Sequence, residues 1–206
     1  MSFSSPEGPQ FFKLIKPVYD YLLLFFRHPF NSVREIPDWN WPTVLLLHTS
    51  VVAICGTVSG LIAQSLRATL EGLILLPISS TVALLILSAV FYYLFLFVHH
   101  IELSLRRLFA VMVVASLPYF ALYTLQYLIP VVHPIGFAIT GLLIHVGLVS
   151  QFDAPKKFTA RTIAGIFALL MIMWLGFAIQ WAHDAYKERY LHSPKTLEEL
   201  EKSLNQ

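Results

Sequence analysis

The residues best able to do chemistry cluster at His99-His100-x-Glu102, followed by Arg106 and Arg107. Two imidazoles beside a carboxylate are a donor set for a divalent metal or a contact for a partner's charged surface, and Asp153 adds a second carboxylate in a neighbouring loop. The spacing matches no zinc signature, since HExxH is absent and adjacent helical histidines point about 100° apart. A membrane-interface rim in which histidine and arginine face headgroups is therefore the preferred reading, with no resident metal or other cofactor expected. His48 and His145 lie inside apolar runs. Ionisable groups there are functional candidates by default, but neither run contains an acid to complete a proton relay, and one hydrogen bond satisfies a neutral imidazole. A structural role is preferred for both. Ser59, in Gly56-x-x-Ser59-Gly60, sits one position away from the nucleophile elbow and in mid-helix. Cys55, the one cysteine, is seven residues from His48, too far along a helix to share a metal unaided. With no P-loop, dinucleotide fingerprint or carboxylate pair, the chain is not expected to be an enzyme.

The elements that carry these residues follow from composition. Of 206 residues 57% are hydrophobic and 13% charged, with a mean hydropathy of +0.68. Soluble domains carry about 25% charged residues, so this chain cannot cover a water-soluble globule, and the composition excludes a soluble enzyme or a nucleic-acid binder. The lipid bilayer is its first partner. A hydrocarbon core of about 30 Å takes roughly 20 helical residues to cross. Charge-free runs predict spans over residues 43–66, 73–98, 108–129, 133–150 and 162–182. Residues 108–152 contain no Lys, Arg, Asp or Glu over 45 positions; such a run must turn back, and the breakers at residues 129–134 mark the turn. Pro77 is expected to kink the second span or to separate a short interfacial turn from it. Ahead of the spans, after a flexible residue 1–10 lead, residues 11–42 hold an amphipathic segment. Its helix, from Phe11 to Phe30, places apolar groups at helical spacing among Lys13, Lys16, Asp20 and Arg27, and is read as lying in the interface with Phe25 and Phe26 buried there. Residues 183–206 are read as a soluble tail, with a capping box at Thr196-Leu197-Glu198-Glu199 and a short helix with Leu197, Leu200 and Leu204 on one stripe. The fold class is thus an all-α, five-span helical bundle with an interfacial N-terminal helix.

Helices in lipid associate through small residues and interhelical hydrogen bonds. Gly56 and Gly60 form a GxxxG, Ala160, Ala164 and Ala168 repeat the spacing in the fifth span, and Gly136, Thr140 and Gly141 lie close in the fourth. These faces serve internal packing or, alternatively, a homodimer. In the third span Pro118 frees the carbonyl of Val114, which Ser116, a neighbouring hydroxyl or water must answer; the resulting kink either shapes the bundle or lines a cavity. The side holding the N-terminus carries nine Lys and Arg against five opposite, and the short loops give five against Arg67 alone. Positive-inside bias puts the N-terminus in the cytoplasm and the C-terminus outside. Arg106, Arg107, Lys156 and Lys157 then become candidate contacts for headgroups or partners.

Five spans, a cytoplasmic N-terminus, a lead-in ending in His28-Pro29-Phe30 and a third span with Val113-Val114-Ala115-Ser116-Leu117-Pro118 resemble the Yip (Ypt/Rab-interacting protein) domain family over roughly residues 11–182. Eukaryotic members carry an Asp-Leu-Tyr-Gly-Pro motif and a long cytosolic N-terminal region. This chain has neither, and so looks like a bacterial member in the cytoplasmic (inner) membrane. The resemblance implies a non-catalytic multi-pass protein that organises membrane-protein partners or local bilayer shape. The alternative is a small transporter or lipid or ion conduit using the kinked third span, His48 and His145.

Overall fold

The computed structural model describes residues 10–129, 131–191 and 201–202. The expected flexible lead up to residue 9, Pro130 of the expected breaker cluster and the capping-box helix at residues 196–199 lie outside them. The described residues form helices joined by turns, with no strand. In order these are α1 (Gln10–Arg27), α2 (Pro29–Arg34), α3 (Trp41–Ile62), α4 (Leu66–Leu70), a π turn (Glu71–Leu75), α5 (Leu76–His99), α6 (Leu105–Tyr123), α7 (Val132–Phe152) and α8 (Lys156–Leu191). Five helices are long and apolar enough to cross a membrane: Trp41–Ile62, Leu66–His99, Leu105–Tyr123, Val132–Phe152 and Lys156–Gln180. The chain is an all-α multi-pass membrane protein. It divides into two compact units, Met1–Ala164 and Gly165–Gln206; the second continues α8, whose apolar stretch reaches Gln180 and whose helix reaches Leu191. The helix extends past the expected fifth span of residues 162–182 at both ends, because the charged residues there are compatible with continued helical geometry.

Local chemistry sets each boundary. The expected single interfacial helix breaks at His28, whose φ of −140° and ψ of 67° are not helical, because the residue before a proline is pushed out of the α region. Pro29 then opens α2. Asn40 caps α3, its Oδ1 accepting from the Thr43 backbone N at 3.0 Å and from the Thr43 hydroxyl at 2.6 Å. The first span ends at Ile62 rather than residue 66, since Gln64 takes φ 52° in a tight turn and Ser65 caps α4 by accepting from Ala68 N at 3.2 Å. Helix therefore resumes at Leu66, seven residues before the expected start at 73, and carries Arg67 and Glu71 on its exposed side. Pro77 neither breaks nor isolates this helix. A proline ring clashes with the carbonyl four residues back, here Leu73, and the wider π turn around that residue relieves the clash. The third span stops at Tyr123 instead of residue 129: Ser59 donates to the Tyr123 carbonyl at 3.3 Å and accepts from Gln126 Nε2 at 2.9 Å, and the chain continues as turns.

Within the first unit α6 is the central element, packed against α3, α5 and α7. Every residue from Leu108 to Leu117 is buried, as is Phe120. The α6–α7 hairpin is the most extensive pairing. Gly147 makes it close, since a Cβ there would stand 2.6 Å from Val111 Cγ1 and 2.8 Å from Val33 Cγ1. That one glycine lets α2, α6 and α7 converge, tying the N-terminal helices to the bundle.

Candidate functional site

The end of the bundle at which α1 and α2 dock is built from three layers of contact. Tyr21 donates its hydroxyl to the Ser32 carbonyl at 2.8 Å and packs edge-on against Trp39 at 4.7 Å, holding α1, α2 and the residues before α3 together. Burial pushes the Tyr21 phenol well above its usual range. Gln151, in the last turn of α7, donates to the carbonyls of Val33 and Arg34 at 3.3 and 3.2 Å, satisfying the C-terminal end of α2. Arg106 Nη2 then meets Asp38 Oδ1 at 2.6 Å, and Arg107 stands with Ile36 to Trp39 and Gln151 around a shallow dent.

This docking corrects the expected place of Phe25 in the membrane interface. Phe25 is 1% exposed, sunk into the protein with Val18 and Tyr21, whereas Phe26 is 58% exposed. Tyr19, Leu23 and Phe26 recur at helical spacing along the outward side, and Lys16, Asp20 and Arg27 border them, all exposed. The helix is thus apolar on two sides, one facing protein and the other facing outward.

The His99-His100-Glu102 group does not converge. His100 ends α5 in the left-handed region at φ 53°, its N–H donating to the Leu96 carbonyl at 3.1 Å as in an αL cap. His99 packs its ring edge-on against Phe158 at 4.2 Å, and Glu102 is exposed. Asp153 serves as the left-handed cap of α7 at φ 48°. Among the described residues no cluster of three His, Cys, Asp or Glu side chains is placed to hold a metal. Of the four candidate cations, Arg107, Lys156 and Lys157 are exposed, and Arg106 is engaged by Asp38.

The residues expected inside the spans divide as follows. Gly56 and Gly60 pack against Gly72 and Thr69 of the neighbouring helix, so backbone meets backbone and this face is filled within the chain. Gly136 faces Tyr119 and Gly141 faces Ile163. Ala160 and Ala164 are exposed; α8 turns Phe158, Thr159 and Ile163 inward instead, because the larger side chains fill the space beside α5 and α7. Ala168 lies in the second unit. His48 is fully buried, its Nε2 3.0 Å from Ser80 Oγ and its ring edge-on to Phe120 at 5.5 Å. Ser80 also lies within hydrogen-bond reach of the Pro77 carbonyl at 3.2 Å, so His48, Ser80 and the helix backbone form one short network. The Nδ1 atoms of His48 and His145 are buried without a partner. Pro118 lies within an unbroken α6, and Ser116 donates to Val113 at 2.8 Å rather than answering Val114.

Sequence reasoning missed Gly72, Gly147, Tyr21 and Gln151. Gly72 stands between Glu71 and the expected second span, where the charges at Arg67 and Glu71 interrupt the apolar pattern. Fold and surface together define a multi-pass integral membrane protein with a docked amphipathic helix at one end. Compared with protein-family models, curated proteins and solved structures, the chain matches none.

Proposed function

We propose that this is a non-catalytic membrane protein that organises partner proteins or local bilayer shape from the end carrying α1 and α2, as its resemblance to the Yip domain family implies. We place it in a bacterial cytoplasmic membrane with that end in the cytoplasm. The observation that carries the reading is the two-sided α1. Val18, Tyr21 and Phe25 hold the helix to the bundle while Tyr19, Leu23 and Phe26 stay exposed beside Lys16 and Arg27. A helix fixed in this way presents a wedge to the headgroup and acyl boundary of one leaflet. Arg107, Lys156 and Lys157 each add about 1 kcal/mol of attraction to an anionic surface. The packing of α6 favours this reading over the conduit: the helix that holds Pro118 is buried over Leu108 to Leu117, and His48 is committed to Ser80.

The test is reconstitution of the full chain into vesicles containing anionic lipid, with vesicle size and curvature read by electron microscopy. Leu23→Asp with Phe26→Asp should abolish any remodelling, and reversing Arg107, Lys156 and Lys157 should weaken it. Substrate flux through sealed proteoliposomes that is lost in His145→Leu yet unaffected by the charge reversals would sink the organiser reading in favour of the conduit.

A further inference from the structure

At the end of the bundle opposite α1 and α2, the C-terminal ends of α3 and α6 and the π turn enclose a cleft of about 210 Å³. That is room for several waters or a small polar headgroup. Its lining includes Glu71, Ser59, Ser79, Tyr123, Gln126 and Tyr127. Glu71 is the one charged residue among them, and it sits at the first position of the π turn, a helix irregularity frequent at functional sites.

We propose that this cleft binds an ammonium group, with Glu71 as its counter-ion and the Tyr123 and Tyr127 rings beside it. The lining residues bring one carboxylate, hydroxyl and amide groups and two tyrosines, and no lysine or arginine. A primary ammonium brings three donors and a compact positive charge, which carboxylate, oxygen acceptors and aromatic faces accommodate together. A divalent metal fits poorly, because calcium takes six to eight oxygen ligands and magnesium a near-ideal octahedron. Gln126 is oriented by its own network: its Nε2 donates to Ser59 at 2.9 Å, leaving the carbonyl oxygen as the accepting end of the amide. The carboxylate is already paired with Arg67 at 2.7 Å, but the Arg67 side chain is 88% exposed and the pair is an i, i+4 surface contact. Such pairs are weak and exchangeable. Glu71, Ser79 and Tyr127 are all exposed, so the cleft opens sideways at the bundle surface. The same chemistry has two sources, the amine headgroup of a phosphatidylethanolamine and a free small primary amine.

The experiment is native mass spectrometry of the full-length protein released from detergent micelles doped with equal amounts of phosphatidylethanolamine and phosphatidylglycerol, with and without dissolved ethanolamine. The expected result is retention of the amine lipid, reduced roughly tenfold in Glu71→Gln, the scale of losing a hydrogen bond to a charged group. Arg67→Gln should act oppositely, raising retention by releasing the carboxylate. Tyr127→Leu, at an exposed position that the fold does not require, should lower it. Competition by ethanolamine assigns the site to free amines, and its absence assigns it to the lipid. Equal retention of both lipids, or equal loss in Glu71→Gln and Arg67→Gln, would overturn the proposal, as would failure to bind either amine.

Discussion

Tyr21 is the residue on which the N-terminal helices depend. Its hydroxyl donates to the buried Ser32 carbonyl, which also accepts from Glu35 N at 3.3 Å, and its ring stands against Trp39. Tyr21→Phe keeps the ring and removes the bond, so the docking should weaken by about 0.5–1.5 kcal/mol, read as faster amide exchange in α2 with the spans unchanged. The pH dependence follows from the direction of the shift. The folded pKa is raised above an unfolded value near 10, so the protonated form is favoured by folding. This contribution is fully present below about pH 10 and is lost as the pH rises beyond it. Exchange protection in α2 should therefore be flat from neutral pH to about 9 and fall above 10, and the alkaline fall should vanish in Tyr21→Phe. Arg106 is a weaker lever. Its partner Asp38 keeps 66% of its side chain exposed, so Asp38→Ala should cost about 1 kcal/mol or less and should recover nothing in high salt.

At the scale of elements, the α3 hairpin is the sharpest case of backbone fitted to backbone. A Cβ at Gly56 would collide with the Gly72 carbonyl, and one at Gly72 with the Gly56 carbonyl, so neither neighbour can rotate away. A Cβ at Gly141 would meet only Ile163 Cγ2 at 3.3 Å, the movable end of a side chain. Gly56→Ala and Gly72→Ala should thus each destabilise by about 1–3 kcal/mol, whereas Gly141→Ala should change stability by less than about 1 kcal/mol. Detergent unfolding midpoints check the contrast; equal midpoints for Gly56→Ala and Gly141→Ala would remove the claim of close approach. The GxxxG that carries this contact was legible in the sequence because small-residue spacing survives without knowledge of the partner helix. Its partner was not, because Arg67 and Glu71 imitate a loop until their positions on one exposed helix side are known. Hydrophobic run length likewise revealed all five long helices, yet it placed the end of α6 six residues late. No breaker occurs between Tyr123 and Ile129, and a hydrogen bond from Ser59, 64 positions away in the chain, draws on the Tyr123 carbonyl. The histidine and acid group at residues 99–102 was legible as a list of donors only. The left-handed cap at His100 separates those side chains, and a cap without glycine leaves little trace in a sequence.

For the whole molecule, orientation is the property on which the surface readings rest. The long helices alternate in direction: Trp41 lies against Phe109 and Ser59 against Tyr123, so α3 and α6 run the same way. Tyr119 against Gly136 and Val111 against Gly147 run α7 back. The α1–α2 pair, the α5–α6 turn and the α7–α8 turn consequently share one end, which gathers Arg106, Arg107, Lys156 and Lys157 in its short connections and first helical turns. The opposite end has Arg67, and an acid beside a lysine or arginine does little to offset its topological weight. Reporter fusions at Gln64 and Lys156 should therefore read outside and inside, and a fusion after the C-terminus should read outside, since α8 supplies a fifth crossing by length and composition. Moving the bias should move the molecule: neutralising Arg106, Arg107, Lys156 and Lys157 while adding lysines at Gln64 and Ser65 should yield a mixed population at all three reporters. A uniform, unshifted pattern in that variant would mean that charge does not set the orientation, and the assignment of α1 to an anionic cytoplasmic leaflet would lose its basis.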